Sequence, residues 1–189
     1  EWLAEITEGL AAHDRAHPES PAAPYAINQI VHKSNDRLEH DMQMCAKYKV
    51  PVVITSLGAR TDVNDAVHGW GGVVLHDIIN NTFAKKAIEK GADGLIAVAA
   101  GAGGHAGIKS PFALVQEIRA WFDGPVALSG AIANGDAKVP AAGANVIAEL
   151  PGKSKQRNRT TTLPRAADMK GIERARERRV RMNNPGIRA

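Results

Sequence analysis

Residues 50–100 read VPVVITSLGARTDVNDAVHGWGGVVLHDIINNTFAKKAIEKGADGLIAVAA, and their rhythm decides the fold. PVVIT (51–55) is short and β-branched, which predicts a buried strand. TDVNDAVHGW (61–70) follows, with Val63, Ala66, Val67 and Trp70 on one helical face. GVVLHD (72–77) reads as the next strand, NNTFAKKAIEKG (80–91) as a helix ended by Gly91, and DGLIAVAA (93–100) as a third strand. Strand and helix alternate, which predicts βαβ units and a parallel sheet.

The same alternation extends both ways. Downstream, FALVQEIRAWF (112–122) is a predicted helix with Pro111 at its start, and PVALSG (125–130) and GANVIAEL (143–150) are predicted strands. Upstream, YAINQIVH (25–32) is a predicted strand and NDRLEHDMQMCAKYK (35–49) a helix. A Pro-rich loop (17–24) separates these from a first helix over 2–13, with Trp2, Ile6 and Leu10 at helical spacing. Right-handed crossovers of this kind build either an open doubly wound sheet or a closed barrel, and periodicity does not choose. About six strands are countable, fewer than the eight of a full barrel.

Composition narrows the class. An apolar fraction of 44% with 23% charged residues fits a globular domain rather than a disordered chain. The one cysteine, Cys45, excludes an internal disulfide and thiolate metal clusters, which fits a cytoplasmic location, and it is expected in the core. No run of about 18 apolar residues suggests a membrane span, and the acidic N-terminal stretch is not a signal peptide. Charge is unevenly placed. Residues 151–189 hold 12 Lys and Arg against 3 acids, whereas residues 1–150 hold 12 against 17. The expectation is therefore a domain over 1–150 and a disordered basic tail over 151–189. Nucleic-acid binding by the tail is the lesser reading, because no aromatics interleave its basic groups and it carries no recognition motif.

In parallel barrels chemistry gathers at the carboxyl ends of the strands. The most informative such end is GAGGHAG (101–107), four glycines around His105. Glycine permits close backbone approach and positive φ, so consecutive N–H groups can face an anion. An imidazole there can accept a proton. An incidental histidine in a flexible glycine loop fits the same residues. The turn SGAIANG (129–135), with Ser129, Gly130 and a candidate N-cap at Asn134, is a second phosphate-binding candidate or an ordinary capped turn. His76 and Asp77 end a strand and either bind a polar ligand or form a structural pair. His32 and Lys33, after Asn28 and Gln29, offer further polar groups, while His13, His17, His40 and His68 are expected in surface or packing roles. No HExxH, GxSxG or P-loop pattern is present.

Together AVAAGAGGHAG (97–107), SPFALVQEIRAWFDGP (110–125) and ALSGAIANGDA (127–137) resemble the FMN-dependent nitronate monooxygenase (2-nitropropane dioxygenase) family. NQIVHKSNDRLEHD, VPVVITSLGAR and VVLHDIINNTFAKKAIEKGADGLIAV are similar to one subgroup in order and spacing. The resemblance covers roughly residues 1–137. It implies an α/β fold, a TIM-type (β/α) barrel, with FMN at the strand carboxyl ends. It also implies oxidation of alkyl nitronates or nitroalkanes with O2 to carbonyl compounds and nitrite. His105 would be the catalytic base. Gly103, Gly104 and Gly130 would contact flavin or phosphate, with Asn28 close by and His76 and Ser129 as further cofactor-side candidates. An NAD(P)H:quinone oxidoreductase on the same barrel is the alternative implied, and an inactive fragment a further one.

Two departures from the family pattern stand out. The family's first strand would precede Glu1. After Ala137 the chain reads KVPAAGANVIAELPG, with Glu149, Leu150 and Pro151 where the family has its glycine–serine phosphate turn. The expectation is an incomplete barrel, a fragment whose reading frame has been altered near Lys138.

Overall fold

The computed structural model describes residues 1–130, which form a single five-stranded parallel sheet with five helices. The order is α1 (Trp2–Ala16), β1 (Ala26–Ile30), α2 (Leu38–Lys47), β2 (Val52–Ser56), α3 (Thr61–Gly69), β3 (Val73–Ile78), α4 (Asn81–Glu89), β4 (Gly94–Val98), α5 (Pro111–Arg119) and β5 (Val126–Ser129). Every strand and helix expected over 1–130 is present. The predicted strand at 143–150, the turn residues Asn134 and Gly135, the tail and the boundary at 150 lie outside the described residues.

Strand order settles what periodicity left open. The strands lie β1-β2-β3-β4-β5, each beside its sequence neighbour and parallel to it. A doubly wound sheet reverses direction midway so that helices cover both faces. Here the direction never reverses, so right-handed crossovers put successive helices on one side.

The core records this one-sidedness. The main cluster joins Val53, Val74, Leu95, Ala97 and Leu128 of the strands to Cys45 of α2, Val67 of α3, Ala84 and Ala87 of α4, and Leu114, Val115 and Ile118 of α5. The second cluster contains only strand residues: Val52, Val73, Leu75 and Ile96, with Ala26, Ile54, Val98 and Ala127 packed against it. Side chains alternate across a strand, so these two sets are the two faces of one sheet. The architecture is α/β and follows the (β/α)-barrel winding, with the face that no described helix covers, the helix-free face, corresponding to a barrel interior.

Three helices close in the same way. After α2, α3 and α4 the chain passes through a left-handed residue, Lys49 (φ 47°), Gly71 (φ 91°) and Gly91 (φ 105°). The next amide then reaches back to the last turn, with Val50 N–H donating to Cys45, Gly72 to Val67 and Ala92 to Ala87, each at 3.0 Å. Asn35 explains why α2 begins at Leu38 and not at the expected 35. Its amide donates to the Ile30 carbonyl at 2.8 Å and its Oδ1 accepts from Arg37 N–H at 3.1 Å, which makes a turn ahead of the helix. In α1 the half-buried stripe is Leu3, Ile6 and Leu10, while Trp2 is 80% exposed. No helix among the described residues is long and apolar enough to cross a membrane.

Candidate functional site

Parallel strands in register bring all five carboxyl ends to one edge. Ile30 lies beside Ser56, Ile78 beside Ala97, and Val98 beside Ser129. The loop after β4 is pinned there at its neck. Ala99 N–H donates to Ser129 O at 2.9 Å, Ala100 N–H to Lys109 O at 2.8 Å, and Gly107 N–H to Val98 O at 3.0 Å. Gly107 is required by space, since a Cβ would meet the Val98 and Ile79 carbonyl oxygens at 2.8 and 2.9 Å.

Gly130 closes the second turn onto the first. Its φ is +126°, and a Cβ would stand 3.0 Å from the carbonyl oxygens of both Ala99 and Ala100. The structure therefore brings the Ser129–Gly130 turn against the base of the GAGGHAG loop. Above that base Gly103, Gly104 and His105 are exposed, and Gly104 has φ +66°. Among the described residues, the consecutive N–H groups of Gly103, Gly104 and His105 have no acceptor, and the His105 ring has no hydrogen-bond partner.

The helix-free face contributes a polar group that sequence reading missed as a unit. Ser56 Oγ lies 2.6 Å from Asp77 Oδ2 and 3.1 Å from Asn28 Oδ1. Asn28 is exposed, Ser56 buried and Asp77 half-buried. The signal was present, because three successive strands carry a polar residue on the same face, Asn28 in the middle of β1, Ser56 at the end of β2 and Asp77 one residue before the end of β3.

His76 is placed differently from the expectation. It belongs to the helix-covered face, 4% exposed, with Nδ1 2.6 Å from Thr55 Oγ1. Burial pushes its imidazole down to about 4, so it is neutral near pH 7. Consecutive strand residues point oppositely, so His76 and Asp77 form no pair, and His76 does not share the face of Asn28, Ser56 and Asp77. His32 Nδ1 is 2.9 Å from Ser34 Oγ, and Lys33 lines a groove of about 700 Å3 between α2 and α3 with Met42, Arg60 and Trp70. His68 Nε2 lies 2.8 Å from Asp93 Oδ2, a packing role as expected. No cluster of metal-ligating side chains occurs among the described residues.

FMN carries a phosphate, and an anion wants convergent backbone donors at a glycine turn. Among the described residues the N–H groups of Gly103, Gly104 and His105 have no acceptor and stand in a loop beside a second glycine turn, so the donor chemistry fits a phosphate.

Neither a family model nor a curated protein sequence matches this chain. Solved structures similar to it include a point mutant of FabK from Thermotoga maritima, 29% identical, with a TM-score of 0.54, covering 60% of this chain and 37% of that one. FabK itself from Thermotoga maritima is 27% identical, with a TM-score of 0.54, covering 65% of this chain and 39% of that one. A nitroalkane oxidase from Streptomyces ansochromogenes is 22% identical over 69% of this chain and 39% of that one, with a TM-score of 0.48. The chain spans less than half the length of each of these structures. Strand order and the FabK likeness define the class, an α/β fold with the winding of a parallel (β/α) barrel, of which five strands are described.

Proposed function

We propose that these residues are the flavin-facing part of an FMN-dependent enzyme that oxidises nitroalkanes and alkyl nitronates with O2 to carbonyl compounds and nitrite. The observation that carries the reading is the exposed imidazole of His105 in a glycine loop whose N–H groups have no acceptor among the described residues, seated against Gly130 at the carboxyl edge. The loop amides of Gly103 and Gly104 would hold the phosphate or the ring edge. Asn28, with Ser56 beside it, would present a polar contact from the helix-free face. Bound flavin supplies the electron acceptance that the oxidation needs.

His105 acts on the proton. A nitroalkane must lose its α-hydrogen, and an imidazole nitrogen within about 3 Å of that carbon can take it. A nitronate has already lost that hydrogen and needs no base. This difference gives the test. His105→Asn is expected to lower nitroalkane kcat/KM by about 10²–10⁴ while changing nitronate turnover far less. Equal loss on both substrates would contradict the assignment of His105 as base. Oxidation of NADPH by a quinone, with neither nitro compound turned over, would replace the reaction class.

A further inference from the structure

We propose that Lys109 and Glu117 are positioning residues, an anchor that fixes the His105 loop to the helical layer. The inference rests on the reading of His105 as base.

The loop from Ala99 to Ser110 is rich in glycine, and Gly103, Gly104 and His105 at its tip are exposed. Glycine costs more backbone entropy to order than any other residue, so some other group must hold the loop. At its far end, Lys109 O accepts the Ala100 N–H at 2.8 Å and closes the neck. The Lys109 side chain is held as well. Its Nζ donates to Glu117 Oε1 at 2.6 Å and Oε2 at 2.5 Å, bracketing the carboxylate.

Glu117 is itself fixed. Its Oε2 accepts from Asn81 Nδ2 at 3.1 Å, and Asn81 Oδ1 accepts from Trp121 Nε1 at 3.0 Å. The chain of contacts runs from the loop neck through the second turn of α5 to the first residue of α4 and back to Trp121 beyond α5. Each polar atom along it has a defined partner. Ser110 and Pro111 then start α5 at once, with Ser110 Oγ accepting from Ala113 N–H at 3.2 Å. The anchored residue therefore sits between a rigid helix start and the glycine turn.

Magnitudes separate the two roles that Lys109 could have. Both partners of the pair are 38% exposed, and an exposed pair contributes about 0–1 kcal/mol to stability. The anchor is thus a weak stabiliser of the whole fold. Placement is more demanding, because a misplacement of about 1 Å at a reacting group can cost about 10² in rate.

The experiment uses the FMN-loaded protein and its Lys109→Met, Lys109→Arg and Glu117→Gln variants. Native-state hydrogen exchange of the Ala100 and Gly107 amides is read against that of Leu95–Ala97 in β4. Lys109→Met and Glu117→Gln are expected to speed exchange at Ala100 and Gly107 by up to about fivefold and to leave β4 unchanged. Lys109→Arg should restore protection. On substrates, Lys109→Met should lower nitroalkane kcat by about tenfold with nitronate kcat within about twofold. Unchanged exchange at Ala100 and Gly107 would overturn the anchor, as would equal loss on both substrates accompanied by faster exchange in β4. Faster loop exchange in a protein whose wild type turns over neither nitro compound would keep the anchor and overturn the reading of His105.

Discussion

His76 and Asp77 are covalent neighbours with opposite surroundings. Asp77 sits on the helix-free face beside Ser56, and His76 is buried under the helices against Thr55. A buried imidazole whose folded value is about 4, against about 6.5 when exposed, binds fewer protons in the native state. Its contribution is complete above pH 6.5, declines as the unfolded chain takes up a proton, and is spent by about pH 4. Unfolding free energy is expected to fall by on the order of 3 kcal/mol across that window from this group alone. His76→Gln should flatten that part of the profile in denaturant titrations at several pH values, and an unchanged slope would contradict the burial argument. The sequence announced that VVLHDI was a strand but not which of its residues faced the helices. A strand buried on both faces carries no polar alternation to set its phase. What period two did dictate is that His76 and Asp77 could not share a face. The place of His105, in a loop after β4, was legible for the opposite reason, since a histidine among four glycines needs no phase. Lys109 and Glu117 were not legible, because a pair spanning a loop and the second turn of a helix has no short-range signature.

At the scale of the element, the βα units repeat one closing device. Gly71 and Gly91 occupy the left-handed position after their helices, whereas Lys49 occupies it after α2. A left-handed conformation costs an L-residue about 1–2 kcal/mol, and glycine gives back about 0.5–1 kcal/mol through its freer unfolded chain. Strain wins, so Lys49→Gly is expected to raise stability by about 0.5–1 kcal/mol, read as a higher urea midpoint with an unchanged slope. A lower midpoint would mean that the lysine side chain stabilises the turn more than its backbone strains it. Helix positions were readable from apolar spacing and from such glycines. Helix starts were less so, because Asn35 forms its own turn three residues ahead of α2.

At the scale of the molecule, one-directional winding puts the described helices on one side and leaves a face of Val52, Val73, Leu75 and Ile96 without a helical cover. Alternation in the sequence predicted the parallel sheet. It could not predict the order of the strands, because order depends on whether the winding reverses, and the local pattern of a βαβ unit is the same in both cases. The consequence of constant winding is a single carboxyl edge where the GAGGHAG loop and the Ser129–Gly130 turn lie, with Asn28 at the middle of β1. If that edge is a flavin site, the purified protein titrated with FMN and freed of excess by gel filtration should retain the visible absorption of a bound oxidised flavin, saturating at one per chain. A folded protein from which all the flavin washes away would contradict the account at its centre.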